Sequence, residues 1–337
     1  MRALCIERPR VMRLVNVKRP IAGPGEVVVA VRAAGICGSD LELLEGTRPS
    51  TYSRYPVIPG HEWSGEVVDS GGDSDLEPGD RVVAEGFRSC GACDRCRDGH
   101  NNLCTAPYAE TGFTHPGAFA EYVSVPTRLV HRLDGDADFE AAALLEPAAC
   151  IAEGLMQADI RPGLEVAVVG AGTLGLLAVA MLHVHKPSRL VLIGTRAGRL
   201  ALGREMGATE SVDIASAGAS SGLDSQFDFV FEATNRSGGA QTALRLVRRG
   251  GAVVLEGING ATEPSVVSDL LTLKQLRVQG VFGASSRAWR WMVDLYASSD
   301  LRLERLVTHR FCLEDYAQAF AAVRDTSVGA VKVQLHP

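Results

Sequence analysis

Four of the chain's eight cysteines, Cys90, Cys93, Cys96 and Cys104, spell C-x2-C-x2-C-x7-C. That spacing lets four thiolates meet on one tetrahedral zinc with no coordination position left open, a site that can fold a lobe but cannot catalyse. Disulfide pairing is the competing reading, but eight cysteines in 337 residues are too sparse for a disulfide scaffold.

A second constellation is Gly170-Ala171-Gly172-Thr173-Leu174-Gly175, a G-x-G-x-x-G that follows the apolar run 166–169 and heads the helical pattern 176–183. In that setting Gly170 permits a tight turn, Gly172 lets the backbone approach a pyrophosphate, and Gly175 lets helix pack on strand. The helix N-terminus then faces the anion. A free ribose 2′-hydroxyl calls for a carboxylate about 20 residues further on, and Gly194-Thr195-Arg196 stands there instead. With no carboxylate to repel a phosphate, and with Arg196 and Arg199 as charge-assisted donors, NADP is expected rather than NAD. Solvated helix arginines are the competing reading.

A third set is dispersed: Cys37 in Gly35-Ile36-Cys37-Gly38-Ser39-Asp40, His61 in Pro59-Gly60-His61-Glu62, and Glu146 in Leu145-Glu146-Pro147. One thiolate, one imidazole and one carboxylate make a zinc site with room for water or substrate. Spacing alone does not bring them together, because a lone cysteine or histidine is more often a core residue.

Taken in order, Cys37-Gly-Ser39-Asp40, Gly60-His61-Glu62, the four-cysteine lobe, Glu146-Pro147 and the glycine fingerprint resemble the zinc-dependent medium-chain dehydrogenase/reductases over nearly the whole chain. Glu146-Pro147 resembles the sorbitol, threonine and sugar dehydrogenase branch. The resemblance implies that Cys37 and His61 are fixed ligands of a catalytic zinc, and that Glu62 and Glu146 coordinate it directly, through water or alternately. Cys90, Cys93, Cys96 and Cys104 would hold a structural zinc, giving two ions per chain. By the same resemblance Asp40 accepts the second ring N–H of His61, with a plain helix N-cap as the alternative, and Ser39 hydrogen-bonds the zinc-bound alcohol and passes its proton toward the cofactor ribose. Many relatives complete that relay with a histidine where Glu42 stands here, so Glu42 is a relay, a substrate contact or a solvated carboxylate.

The implied reaction passes a hydride between NADP(H) and a secondary alcohol or ketone, with zinc as Lewis acid. Glu110 to Thr114 and Gly60 to Gly65 resemble the segments of sugar and 2-deoxy-scyllo-inosamine dehydrogenases. A sugar, polyol or aminocyclitol is therefore expected, with Ser39, Glu110 and Trp63 as candidate substrate contacts and loops 46–55 and 87–89 carrying specificity. For Glu110 the alternative is a surface carboxylate, and for Trp63 packing behind the site. Leu255, Gly257 and Phe282 are expected at the nicotinamide end. The alternatives are a threonine or simple secondary-alcohol dehydrogenase of the same family, or a non-enzymatic dinucleotide-binding protein. Cys5, Cys150 and Cys312 fit no ligand spacing and are expected to be buried apolar residues.

These residues need two kinds of scaffold. Up to about residue 130 the sequence has short apolar runs (27–31, 65–68, 81–84, 118–125) broken by Gly and Pro, which reads as an irregular, mostly β domain. Beyond residue 141, β-branched runs (165–169, 189–193, 227–232, 252–256) alternate with helical stretches, which predicts a parallel sheet. Helices are expected at 286–296 and 313–323 and a last strand at 330–335, with a surface loop at 216–225. The expected class is α/β: a GroES-like catalytic domain at 1–148 with a zinc lobe at 88–106, a doubly wound Rossmann domain at 149–283, and a return to the first domain at 284–337.

A net charge of −6 without like-charge runs argues against nucleic acid or an anionic membrane surface as partner. The longest apolar stretch, 166–182, is interrupted by glycines and too short to span a bilayer. Charged Glu7, Arg8 and Arg10 interrupt any apolar signal core. A cytoplasmic enzyme acting on a small molecule is expected, as a homodimer or homotetramer by analogy with relatives.

Overall fold

The computed structural model describes residues 1–337 except 73–74, 216–221, 259–265 and 326. The surface loop expected at 216–225 therefore lies largely outside the described residues. The chain forms two units, one of residues 1–149, 285–298 and 303–337, the other of residues 150–284 and 299–302. Among the described residues no helix is long and apolar enough to cross a membrane.

The first unit is built on a seven-stranded, mostly antiparallel sheet. Its central strand Glu26–Gly35 pairs with Glu62–Asp69, with Tyr122–Pro126 and, late in the chain, with Lys332–His336. Alternating buried valines of the central strand pack with Leu4, Trp63, Phe113, Phe119, Phe320 and Leu335 into one core. The strand expected at 118–125 starts only at Tyr122. Ala118 and Phe119 instead send their N–H groups to the Gly60 and Pro59 carbonyls. A Cβ on Gly117 would lie 2.3 Å from the Gly60 oxygen, so this turn requires a glycine.

The second unit is a six-stranded parallel sheet in the order Glu210–Asp213, Arg189–Gly194, Glu165–Val169, Phe227–Glu232, Val247–Leu255, Arg277–Gly280. Numbered along the chain this order is 3-2-1-4-5-6, the doubly wound arrangement with its switch point beside the first strand. The first strand leads through Gly170 into the helix Thr173–Val184, whose buried Leu176–Leu182 face explains the long apolar run of the sequence.

Candidate metal and dinucleotide sites

The central strand ends at Gly35, which lies opposite Glu62 in the antiparallel register, so Cys37 and His61 leave the same end of the sheet. Gly35 has no room for a side chain: its Cβ would meet the Glu62 carboxylate at 2.4 Å. Cys37 caps the helix Gly38–Glu45, and its backbone N–H donates to Asp40 Oδ2 at 2.9 Å. The same carboxylate brings Oδ1 to 3.4 Å from His61 Nδ1, an ion contact without hydrogen-bond alignment. Asp40 is thus not the N-cap, a position that Cys37 takes, but the third residue of the helix, where its carboxylate closes a capping box on the Cys37 N–H and faces the histidine at once. Ser39 Oγ lies 3.5 Å from His61 Nε2.

The ligand atoms of Cys37, His61 and Glu62 all fall within 4.8 Å of one another. Burial works to lower the His61 pKa, but the Asp40 carboxylate and Cys37 outweigh it and hold the imidazole well above its ordinary range. The donor set therefore calls for positive charge at its centre, which suits a divalent cation held by one S, one N and one O ligand. Glu146 is not part of this tight group. It is the second residue of the helix Leu145–Gln157, and burial pushes its carboxyl up to about 8, with His61 opposing and Glu62 and Glu110 adding to the rise.

Glu62 has a partner that sequence reasoning missed. Lys332, on the late strand Lys332–His336, forms a buried ion pair with Glu62 Oε2, and its Nζ also reaches the Ile36 carbonyl at 3.4 Å. Lys332 shares its phase with the polar Gln334 and His336, so the strand's hydrophobic pattern does not mark it as buried. Glu42 is exposed on the outer face of its helix, and Trp63 is packed in the core with 3% of its surface exposed. Glu110 is buried and faces Arg48, which the sequence did not single out. Burial raises the Glu110 carboxyl to about 7, against the pull of His61 and Arg48.

In the lobe, the Cys90–Cys96, Cys93–Cys96 and Cys93–Cys104 sulfurs lie 3.9, 3.4 and 3.9 Å apart. Four sulfurs about 2.3 Å from a tetrahedral zinc would be spaced by about 3.8 Å, so the cage fits that ion. N–H groups of Cys93 and Ala106 point at Cys90 and Cys104 sulfurs, the arrangement that stabilises thiolates. Asn101, between the third and fourth cysteines, anchors the lobe by donating to buried Glu85 at 2.9 Å, which also accepts from Ser286 Oγ at 2.7 Å. The other cysteines correct the expectation of burial. Cys312 is exposed with its thiol donating to Asp315 at 3.0 Å, and Cys5 and Cys150 are only part-buried.

At the fingerprint, Gly170 has φ +111° and a Cβ there would press on Thr234 and Ala233. Gly175 packs so tightly that its Cβ would sit 1.7 Å from the Gly170 oxygen, whereas a Cβ on Gly172 would meet nothing within 4 Å. Open space above Gly172, at the head of a helix whose first turn is Thr173 and Leu174, is the cradle a pyrophosphate requires. Gly194 closes the strand Arg189–Gly194, Thr195 is exposed, and Arg196 caps the helix Ala197–Glu205. Burial and then the like charge of Arg196 lower the Arg199 pKa, so two guanidinium groups share the position where a 2′-phosphate would balance them. Leu255 ends the fifth strand and Gly257 follows it, and Phe282 is 40% exposed after the sixth. Buried Glu232, also missed from sequence, accepts from the Thr234 N–H at 2.7 Å and ties these strand ends together.

Residues 23–135 match the family model of the alcohol dehydrogenase GroES-like domain, and residues 141–335 that of the glucose dehydrogenase C-terminus. The chain is 32% identical over 324 residues to L-threonine 3-dehydrogenase of Anaeromyxobacter sp. (strain K), covering 94% of this chain and 93% of the relative. A protein of Sinorhizobium meliloti 1021 described as a zinc-binding dehydrogenase, solved bound to NADP, is 30% identical with a TM-score of 0.91, covering 100% of this chain and 99% of that one. Galactitol-1-phosphate dehydrogenase from Escherichia coli is 27% identical with a TM-score of 0.88, each chain covered in full.

Proposed function

The chain belongs to the zinc-dependent medium-chain dehydrogenase/reductases, in their polyol- and sugar-dehydrogenase-like branch, and on that premise we propose that it moves a hydride between NADP(H) and a sugar, polyol or aminocyclitol. The observation that carries the reading is the convergence of Cys37, His61 and Glu62 within 4.8 Å, with the Ser39 hydroxyl 3.5 Å from the histidine. When bound, zinc at this cluster supplies Lewis acidity toward the alcohol, and NADP supplies the hydride acceptor.

The chain's own residues do the rest. Cys37, His61 and Glu62 hold the ion, with Glu146 as the carboxylate in reserve, while Asp40 keeps His61 Nδ1 protonated so that Nε2 is left to coordinate. Ser39 relays the proton of the substrate hydroxyl, accepting it as its own hydroxyl proton is passed on toward solvent. Glu42, one turn along the same helix, is exposed, which favours the solvated carboxylate among its three readings. The thiolates of the lobe hold a second, closed zinc. Gly170, Gly172 and Gly175 seat the pyrophosphate, Arg196 and Arg199 the 2′-phosphate, and Leu255, Gly257 and Phe282 border the nicotinamide.

Zinc per chain in the purified protein, set against a Cys37→Ser/His61→Ala variant, tests the reading. A fall from about two to about one, together with loss of NADP-linked polyol oxidation, supports it; one zinc in both proteins overturns it. A second reading, oxidation of L-threonine, is favoured by the 32% identical relative and is separated by offering threonine and cyclitols to the same preparation. Thiol ligands fit a cytoplasmic, reducing setting. The exposed edge strand Arg277–Gly280 and the 67% exposed Leu273 beside it support a homodimer or homotetramer, which light scattering would detect.

A further inference from the structure

Two charged side chains in the first unit are nearly dry: Arg48 keeps 11% and Glu110 7% of its side chain exposed, with 3.6 Å between Nη2 and Oε2. That separation is an ion contact, too long for a hydrogen bond. The guanidinium is pinned elsewhere. Its Nε donates to the Tyr52 carbonyl at 2.9 Å, its Nη2 to the Tyr108 hydroxyl at 3.0 Å, and its plane lies over Phe113, 3.8 Å from the ring centroid. Among the described residues, Nη1 has no partner and the Glu110 carboxylate accepts no hydrogen bond.

The pair is next to the proposed catalytic cluster. Phe113, which carries Arg48 on one side, packs against the His61 ring at 4.7 Å, and Glu110 feels the charges of His61 and Asp40. Both loops expected to carry specificity arrive here. Tyr52 from 46–55 meets Tyr108 edge-on at 4.8 Å, while Phe87 from 87–89 meets Tyr108 at 5.9 Å and bridges to Glu110.

We propose that Arg48 is a specificity-determining residue. Its free Nη1 and the Glu110 carboxylate form a donor and acceptor for one hydroxyl beside the reacting carbinol, so the site selects vicinal diols and polyols over monofunctional secondary alcohols. The inference rests on the secondary-alcohol reading above. A hydroxyl is the neutral group that both donates and accepts, and one bridging the pair satisfies both buried groups at once. A substrate lacking it leaves them unpaired, the situation in which a polar site discriminates most strongly. Because Tyr52, Tyr108 and Phe113 already orient the guanidinium fork, little freedom is lost when the hydroxyl arrives.

The test uses the zinc-loaded full chain with NADP⁺ and two alcohols that differ by one hydroxyl, 1,2-cyclohexanediol and cyclohexanol. The wild type is expected to favour the diol by at least ~100-fold in kcat/KM. Arg48→Met keeps much of the stem and removes the fork. It should bring the ratio below ~10-fold, mainly through KM, and Arg48→Lys should recover only part because it restores charge without the fork. Calorimetric titration of the diol into the enzyme–NADPH complex should show the same weakening, with zinc per chain unchanged. An unaltered ratio in Arg48→Met, or an equal loss for both alcohols, overturns the inference. Should that variant misfold, Tyr108→Phe removes a single anchor and must lower the ratio several-fold; no change there also overturns it. A wild type that oxidises neither alcohol overturns the secondary-alcohol reading instead. In that case Arg48-dependent preference for the diol in calorimetry upholds the site, and equal binding of the two alcohols overturns it.

Discussion

Replacing Lys332 by methionine keeps most of the aliphatic stem and deletes the charge opposite Glu62. Both side chains are almost fully enclosed, with 4% of Lys332 and 2% of Glu62 exposed, so the carboxylate left behind can reach little water. Removing one member of such a pair costs about 3–5 kcal/mol, because the remaining charge is buried without compensation. For a unit of roughly 200 residues that corresponds to a fall in Tm of roughly 10 °C. Tryptophan fluorescence isolates the relevant transition, since Trp63, Trp289 and Trp291 all belong to the first unit. Two controls make the reasoning exposed. Lys332→Met/Glu62→Gln removes both charges and should recover most of the loss in chelator-treated protein, giving a coupling energy from the double-mutant cycle. Zinc gives Glu62 another cationic partner, so the loss in the single variant should shrink when the metal is restored. A Lys332→Met loss below about 1 kcal/mol in the zinc-free protein, or a double variant no more stable than the single one, would refute the argument.

Gly172→Ala should leave Tm within about 1 °C of wild type yet weaken NADPH binding, because its Cβ enters the space reserved for the pyrophosphate; Gly175→Ala should damage both, its Cβ lying 1.7 Å from the Gly170 oxygen. Fluorescence titration and thermal unfolding read the two, and equal binding by Gly172→Ala and wild type would refute the cradle. Arg196→Ser should raise the KM for NADP roughly 10-fold or more and leave that for NAD nearly unchanged; tighter use of NAD than NADP by the wild type would contradict the cofactor assignment. The more obvious exchange, Gly194→Asp, is a poorer test because a Cβ there would sit 2.8 Å from that of Ala171. In zinc-free protein, Glu110 titrates near 7 in the fold and near the ordinary carboxylate value when unfolded, so its protonated form favours the fold. That contribution is complete below about pH 4.5 and disappears as the pH rises through about 7, a swing of about 3 kcal/mol that Glu110→Gln should abolish in a Tm-versus-pH comparison.

What could be read in advance divides along contact order. The lobe cysteines lie within fifteen positions and the fingerprint within six, so local spacing carried their chemistry, and the strands 81–84, 165–169 and 227–232 coincide with Arg81–Ala84, Glu165–Val169 and Phe227–Glu232. Short, nearly continuous apolar runs bounded by turns define such buried strands without reference to the rest of the chain. Cys37 and His61 are different, since 24 residues separate them and only the antiparallel register of Gly35 with Glu62 brings them together. Resemblance to a family supplied that register; hydrophobic pattern did not. Lys332 and Arg48 escaped both routes. Lys332 reaches Glu62 only because Gln334 pairs with Gly35 across some 300 residues of sequence, and Arg48 meets Glu110 only because two irregular loops fold over Phe113. Each is a buried charge whose partner is chosen by tertiary packing, and a buried charge must have a partner or a purpose. Lys332 has its partner fully engaged, whereas the Arg48–Glu110 pair leaves a donor edge and a carboxylate unsatisfied next to the proposed metal centre. That difference in hydrogen-bond completion separates a charge that holds the site from one that reads what enters it.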